Sequence, residues 1–186
     1  MNVSAVRSGA DTQAAVAVVA IILAKILILH LLGRPIICSC GVLRMWQGAP
    51  DPSHNSQHFM DHYSWLHAVF GLGLSHLLAW IRPDWSMGRL IVAVTASSAI
   101  WEVIENTPFV IDRFAMFGSD LAYHGDSIIN SLGDTLFMLG GAVFAMRVSR
   151  VTAALFAICI EASVYLLIGD SILFGVFRVV TGTSMA

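Results

Sequence analysis

Five stretches of this 186-residue chain approach the roughly 20 consecutive apolar residues that a helix needs to cross a bilayer. They lie at about 14–32, 65–81, 90–107, 127–146 and 151–168, with a run-on of the third toward Ile111 left open. Lys25 interrupts the first. Hydrophobic residues make up 57% of the chain and charged residues 12%, with a mean hydropathy of +0.78. Soluble domains carry about 25% charged residues, so a chain this apolar cannot cover a water-facing surface. The expected fold is therefore all-α, a multi-pass transmembrane bundle of about five helices forming a single integral membrane domain over residues 1–186.

Several classes of function drop out. The net charge is −2 and there is no basic tract, which excludes nucleic acid as partner and leaves membrane lipid. The three cysteines form no disulfide framework. The first apolar run is long for a cleavable leader and is followed by Gly33-Arg34-Pro35 rather than a small-x-small site, so it reads as an uncleaved first helix. The stretch 33–63 has Pro50, Asp51, Pro52, Ser53, His54 and Asn55 at its middle, turn formers that rule out a continuous helix. Residues 171–180 are too short to span and are expected to lie along the interface with Arg178 on the wet side. Arginine counts set orientation. Arg7, Arg82, Arg89, Arg147 and Arg150 fall on the side of the N-terminus, against Arg34, Arg44, Arg113 and Arg178 on the other. Five against four puts the N-terminus in the cytoplasm of a bacterial inner membrane.

Up-and-down helices bring the end of span 1, the start of span 2, the end of span 3 and the start of span 4 to one face. Most of the non-arginine ionisable groups gather there, together with polar and aromatic neighbours. They are His30, then His58, Asp61, His62 and His67 with Asn55, Gln57 and Tyr63, then Trp101, Glu102, Glu105 and Asn106, and finally Tyr123, His124, Asp126, Asn130 and Asp134. By the arginine count this is the outer face. The spacing of Asp126, Asn130 and Asp134 predicts one polar helical stripe, with Asp134 about 12 Å deeper than Asp126. Glu102 and Glu105 share a face, and His67, Gly71 and Ser75 form a small polar seam that admits close helix approach. A charge at mid-membrane costs roughly 2.5–3.5 kcal/mol on insertion scales, so Lys25, Asp134 and Glu161 need partners or neutralisation. Lys25 is expected either to snorkel or to pair with Glu161.

The run Asn55-Ser56-Gln57-His58, Asp61, Tyr63-Ser64, His67 and Gly71, then Trp101-Glu102, Glu105-Asn106, Pro108 and Arg113, then Tyr123, Gly125-Asp126-Ser127-Ile128, Asn130-Ser131 and Asp134, resembles an uncharacterised family of bacterial multi-pass inner-membrane proteins, a domain of unknown function. Gly33-Arg34 and Ile37-Cys38-x-Cys40-Gly41 fit its N-terminal pattern. The resemblance covers about residues 30–146. Beyond it, Asp170-Ser171-Ile172-Leu173 is a partial match and the segment 171–186 has no assigned role. A more distant similarity, to VanZ-like membrane proteins, implies action on lipid head groups or binding of them.

Each candidate has a plainer reading beside the functional one. Asp126, Asn130 and Asp134 are either substrate or cation ligands, or interhelical hydrogen bonds. Glu102 and Glu105 are catalytic, or a helix end facing water. His58, Asp61 and His62 fit a metal signature loosely and suit a solvated loop equally well. His67 is the best-placed acid–base group, though a buried histidine is often only hydrogen-bonded. Cys38 and Cys40 suit a soft metal together with a histidine, or a structural or redox-labile pair. The eight methionines are scattered core filler.

The leading expectation is a membrane-embedded enzyme acting on the head group of a lipid or lipid-linked substrate, by hydrolysis or transfer at a phosphoester. Its catalytic set would be His67, Glu102, Glu105, Asp126 and Asp134. Asn55, Gln57, His58, Asn106, Tyr123, Asn130 and Arg113 would bind substrate, with Arg34 and Arg113 as the cations near that face. A divalent metal would take its ligands from His58, His67, Glu105 and Asp126. The alternatives are an ion- or proton-coupled transporter and a lipid-binding accessory protein. Oligomeric state is not legible.

Overall fold

A computed structural model describes residues 3–49, 51, 53–117 and 123–183, with backbone alone for 3–10, 116 and 117. Pro50 and Pro52 lie outside the described residues. Side-chain oxygens set most of the helix starts. The Asp61 carboxylate accepts from the amides of Tyr63 and Ser64, and the Ser64 hydroxyl accepts from the Asp61 amide, so two orphan donors are satisfied reciprocally at the head of His62–Ile81. Ser86, Ser127, Ser149 and Ser171 cap Met87–Glu105, Ile128–Ala145, Arg150–Ile168 and Ile172–Thr181 in the same way. In chain order the helices are α1 (Val3–Leu31), α2 (His62–Ile81), α3 (Met87–Glu105), α4 (Pro108–Phe117), α5 (Ile128–Ala145), α6 (Arg150–Ile168) and α7 (Ile172–Thr181). There is no strand among the described residues.

Five of these helices, α1, α2, α3, α5 and α6, are long and apolar enough to cross a membrane. The chain is an all-α, multi-pass membrane protein with the topology of an inner-membrane bundle. The third span ends at Glu105, because Pro108 opens a separate helix and Asn106 and Thr107 lie between. A proline at the first position of a helix has no amide to leave unsatisfied there.

Helix α5 is the centre. In it 56% of the span is buried, against 11% of α1 and α6. It packs most closely on α2, while α3 lies along α1, α6 along α2, and α7 against α4. The α2–α5 contact is backbone on backbone. A Cβ at Gly71 would collide with the Met138 carbonyl, and one at Gly141 with the Ala68 carbonyl. Small residues make this approach possible, and it is how helices associate in a solvent that gives no hydrophobic drive. Val94, Met138 and Ala142 fill one apolar core and Leu72, Ala145 and Ala153 another. Outward-facing Leu23, Leu27, Leu136, Leu155 and Leu166 are exposed, as lipid-facing side chains should be.

The segment 33–61 folds over the head of α5. Carbonyls of Pro35, Ile36 and Ser56 accept from the amides of Ile128, Ile129 and Ser127, and the Ser127 hydroxyl both donates to the Gln57 carbonyl and caps Asn130. The first-turn donors, which a helix cannot satisfy itself, are thus met by a loop. That loop is held to the polar layer by the same bonds.

Candidate functional site

Three helices deliver the central residues. His67 stands on α2, nearly two turns past the Asp61 cap. Glu102 and Glu105 close α3, and Asp134 sits in the second turn of α5. His67 Nδ1 lies 3.6 Å from Glu102 Oε1, and His67 Nε2 lies 3.7 Å from Asp134 Oδ2. One imidazole therefore bridges two buried carboxylates from different helices. Both separations exceed a direct hydrogen bond. Glu105 lies on the same face of α3 as Glu102.

Within and beside this group are buried polar atoms with no partner. Both carboxylate oxygens of Glu102, Asp134 Oδ1, both side-chain atoms of Asn130 and the Ser131 hydroxyl are buried and make no hydrogen bond. Native interiors leave few such atoms, and a cluster of them marks where water, an ion or a substrate group belongs. Deeper still, Lys25 is 2% exposed and its ammonium donates to the Ser131 carbonyl (2.8 Å) and the Thr135 hydroxyl (2.7 Å). It neither snorkels nor meets Glu161, whose carboxylate accepts instead from the Ile172 amide.

A second layer braces the first. Asp126 accepts from Asn106 Nδ2 (2.7 Å) and from the Tyr123 hydroxyl (2.9 Å), and its amide donates to Asn106 Oδ1 (2.8 Å). Asn106 also donates to the Glu102 carbonyl. The expected Asp126–Asn130–Asp134 stripe does not form. Helix α5 begins at Ile128 behind the Ser127 cap, so only Asn130 and Asp134 are in helical register. Asp126 is placed instead by Gly125, whose φ of +87° is left-handed and whose missing side chain leaves room for Arg34 and Asn106.

Burial pushes the Asp126 carboxyl above its ordinary value, against the opposing pull of the Asn106 and Tyr123 donors, and burial likewise raises Asp61 and Tyr123. An acid whose folded pKa is raised binds more protons folded than unfolded. Its contribution is fully present below the ordinary carboxylate value and is lost as pH climbs toward the raised one. Asp126→Asn should flatten that part of the stability–pH curve in detergent thermal unfolding. It should also cost about 1–3 kcal/mol, because an amide nitrogen must then face a donor.

A cavity of about 180 Å³ opens beside His67. Its polar end carries His67, Glu105, Asn55, Tyr63, Asp170 and Arg178, and its walls are apolar, with Phe70, Met138 and Val176 among them. Phe70 and Val176 are 48% and 53% exposed, so the wall reaches the lipid-facing surface. The cation here is Arg178. It is buried, not on the wet side of an interfacial helix, and donates to Asp170 at 2.7 Å, while the Tyr63 hydroxyl donates to the same carboxylate. Sequence reasoning missed this pair. The available signal was an arginine eight residues after an aspartate in a segment too short to span.

Other expected residues lie elsewhere. Arg113 stacks on the Phe109 ring, 4.9 Å from its centroid, and Arg34 donates to the His124 carbonyl. Gln57 donates to the Gly125 carbonyl, bracing the loop. His62 meets Trp46 edge-on, and His30 is exposed. Two groups of side chains have ligand atoms close enough to coordinate a metal ion. One is His67, Glu102 and Glu105, and the other is Cys38, Cys40, His54 and His58. The expected quartet is therefore divided. His58 belongs with the cysteines, Asp126 is tied to Asn106 and Tyr123, and Glu102 joins His67 and Glu105.

Residues 29–185 match the family model described as protein of unknown function (DUF2585). The match runs through the C-terminal part, so the departure expected past residue 146 does not hold. The chain is 40% identical over 159 residues to a UPF0314 protein of Rhizobium meliloti (strain 1021), covering 84% of this chain and 79% of that one. It is 35% identical over 154 residues to a UPF0314 protein of Sphingopyxis alaskensis, covering 83% and 82%. With a UPF0314 protein of Novosphingobium aromaticivorans it shares 33% over 189 residues, covering 97% and 93%. No solved structure matches the chain.

Proposed function

Because the chain belongs to the DUF2585 family of proteins of unknown function, its activity has to be argued from its own site, and we propose a membrane-embedded enzyme that acts on the head group of a lipid or lipid-linked substrate. The observation that carries this reading is the two-natured cavity. One end presents His67 and Glu105, and the apolar wall runs out to lipid-exposed Phe70 and Val176. An amphiphile enters such a cavity sideways, head group first, with its chain remaining in the bilayer.

The chemistry that fits is hydrolysis or transfer at a phosphoester. His67 takes the proton of the attacking water or hydroxyl as the new P–O bond forms, and returns it to the leaving oxygen as the old bond breaks. Glu102 and Asp134 flank the two ring nitrogens at 3.6 and 3.7 Å, placed to stabilise the imidazolium that forms. Asp126 acts from behind, holding the cavity-lining Tyr123 by its hydroxyl, and the guanidinium of Arg178 offers donors to phosphate oxygens. A divalent cation held by His67, Glu102 and Glu105 would neutralise phosphate charge, with Asp134 then the adjacent base. The resemblance to VanZ-like proteins would imply the same substrate class. The test is the lipid profile of a deletion strain. The wild-type gene should restore it and Asp134→Asn or Glu105→Gln should not; full restoration by both variants would end the enzyme reading and leave a lipid-binding accessory role.

A proton- or ion-coupled transporter is the second reading. It is favoured by the polar thread Lys25–Thr135–Ser98, in which Ser98 and Thr135 share a 2.8 Å hydrogen bond deep in the bundle.

In this reading the polar layer faces the outside of the inner membrane and the N-terminus the cytoplasm. His124 is exposed at that layer. Adding His124→Cys should therefore raise labelling of intact cells by a membrane-impermeant maleimide. Extra labelling that appears only after lysis would invert the orientation.

A further inference from the structure

We propose that Cys38, Cys40, His54 and His58 form a structural zinc site that pins the 33–61 segment over the candidate site. The four ligand atoms lie within 4.8 Å of one another. Cys38 Sγ is 3.4 Å from His54 Nδ1, and His58 Nε2 is 3.3 Å from the same nitrogen. Around a tetrahedral zinc, with bonds of about 2.3 Å to sulfur and 2.0–2.1 Å to nitrogen, the S···N and N···N edges come to about 3.5 and 3.3 Å. Two edges of the required tetrahedron are already in place.

The surroundings fit as well. Cys38 and His58 are 2% and 1% exposed, and all three cysteines are free thiols. Cys40 supplies its sulfur from the surface side. On the far side of the His54 ring, Nε2 lies 3.9 Å from the Asp51 carboxylate, longer than a hydrogen bond but on the side from which a carboxylate orients a metal-bound imidazole. His58 turns its other edge to the Val42 carbonyl and the Arg44 amide. Two thiolates balance a divalent charge, and two sulfurs with two nitrogens suit zinc rather than magnesium or calcium. All four positions are filled by protein, which is the mark of a structural rather than a catalytic centre. In sequence the pattern is C-x-C followed by H-x₃-H, and His54 is the member that the cysteine pair alone does not reveal.

The position gives the site its purpose. Asn55, next to His54, lines the cavity, and the Ser56 and Gln57 carbonyls hold the head of α5. A metal joining residues 38 and 40 to 54 and 58 cross-links the loop on both sides of these contacts. This site and the head-group chemistry stand on different residues, so either can fail alone.

The test uses full-length protein purified in detergent under reducing conditions, with metal content measured directly. His67→Ala, which removes the other candidate metal group, should still carry about one zinc per chain, and Cys38→Ser combined with Cys40→Ser should lose that zinc in the His67→Ala background. Asp51→Asn, which leaves all four ligands in place, should weaken zinc binding by about 10–100-fold. Should the double variant fail to fold, cobalt loaded into wild type serves instead, and it should show sulfur-to-cobalt charge-transfer bands with a tetrahedral visible spectrum. Zinc that leaves with His67→Ala alone, or that stays when both cysteines are replaced in that background, would overturn the proposal. So would a reduced wild type that binds neither zinc nor cobalt, or one that retains copper alone.

Discussion

Gly71→Leu and Gly141→Leu should each abolish accumulation of folded protein in the membrane, and the corresponding alanine variants should unfold at markedly lower temperature in detergent. The Cβ of any residue at position 71 falls on the Met138 carbonyl, and at 141 on the Ala68 carbonyl. These are backbone atoms of rigid helices, which cannot swing aside as a side chain can. Relief requires α2 and α5 to part, and that pair holds His67 against Asp134. Overpacking a core costs about 1–3 kcal/mol even where side chains can shift. Alanine at either position should reach at least the upper part of that range. The neighbouring Gly73 and Gly140 face open space, so alanine there should be neutral or stabilising by about 0.5–1 kcal/mol through helix propensity alone. Equal melting temperatures for the alanine variants at 71 and 73 would show that the close approach is not what holds the bundle.

Replacing His67 should remove function while leaving the fold intact. Its ring sits between Glu102 and Asp134 at 3.6 and 3.7 Å, and no other imidazole stands in the cavity wall among the described residues. General acid–base catalysis contributes typically 10²–10⁴-fold, so His67→Ala should reduce conversion of whichever lipid builds up in the deletion strain by about that factor. In a deletion strain it should behave as Glu105→Gln and Asp134→Asn do. The melting temperature separates the two meanings of a failure. A His67→Ala protein that is as stable as wild type yet inactive locates the chemistry at the imidazole. One that restores the wild-type lipid profile removes His67 from it.

The helices were readable because a bilayer imposes a length and a composition that few other folds need. The gathering of His67, Glu102, Glu105 and Asp134 was readable too, since antiparallel spans carry chain ends to a common depth whatever their packing. Register was not. Asp126 drops out of the stripe because Ser127, a better cap than continuation, makes Ile128 the first residue of α5, so Asp126 stands before the helix. The third span stops at Glu105 because Pro108 begins a new helix. Arg178 is the plainest failure. A lone arginine on a short apolar helix reads as a surface anchor unless its partner is known, and Asp170 lies outside that helix. His54 was overlooked for a related reason. Its neighbours Pro52, Ser53 and Asn55 spell a turn, and the metal geometry depends on how the loop folds back on Cys38.

The bonds of Lys25 have a meaning for how the chain is made. Its ammonium is satisfied by Ser131 and Thr135, more than a hundred residues downstream. During translation the first helix therefore enters the membrane long before its acceptors exist. Its remaining apolar residues must carry a positive charge into the membrane that roughly 2.5–3.5 kcal/mol opposes. Until α5 arrives, that helix keeps an incentive to slide toward water, and its final depth is settled only when the fourth of the five spans inserts beside it.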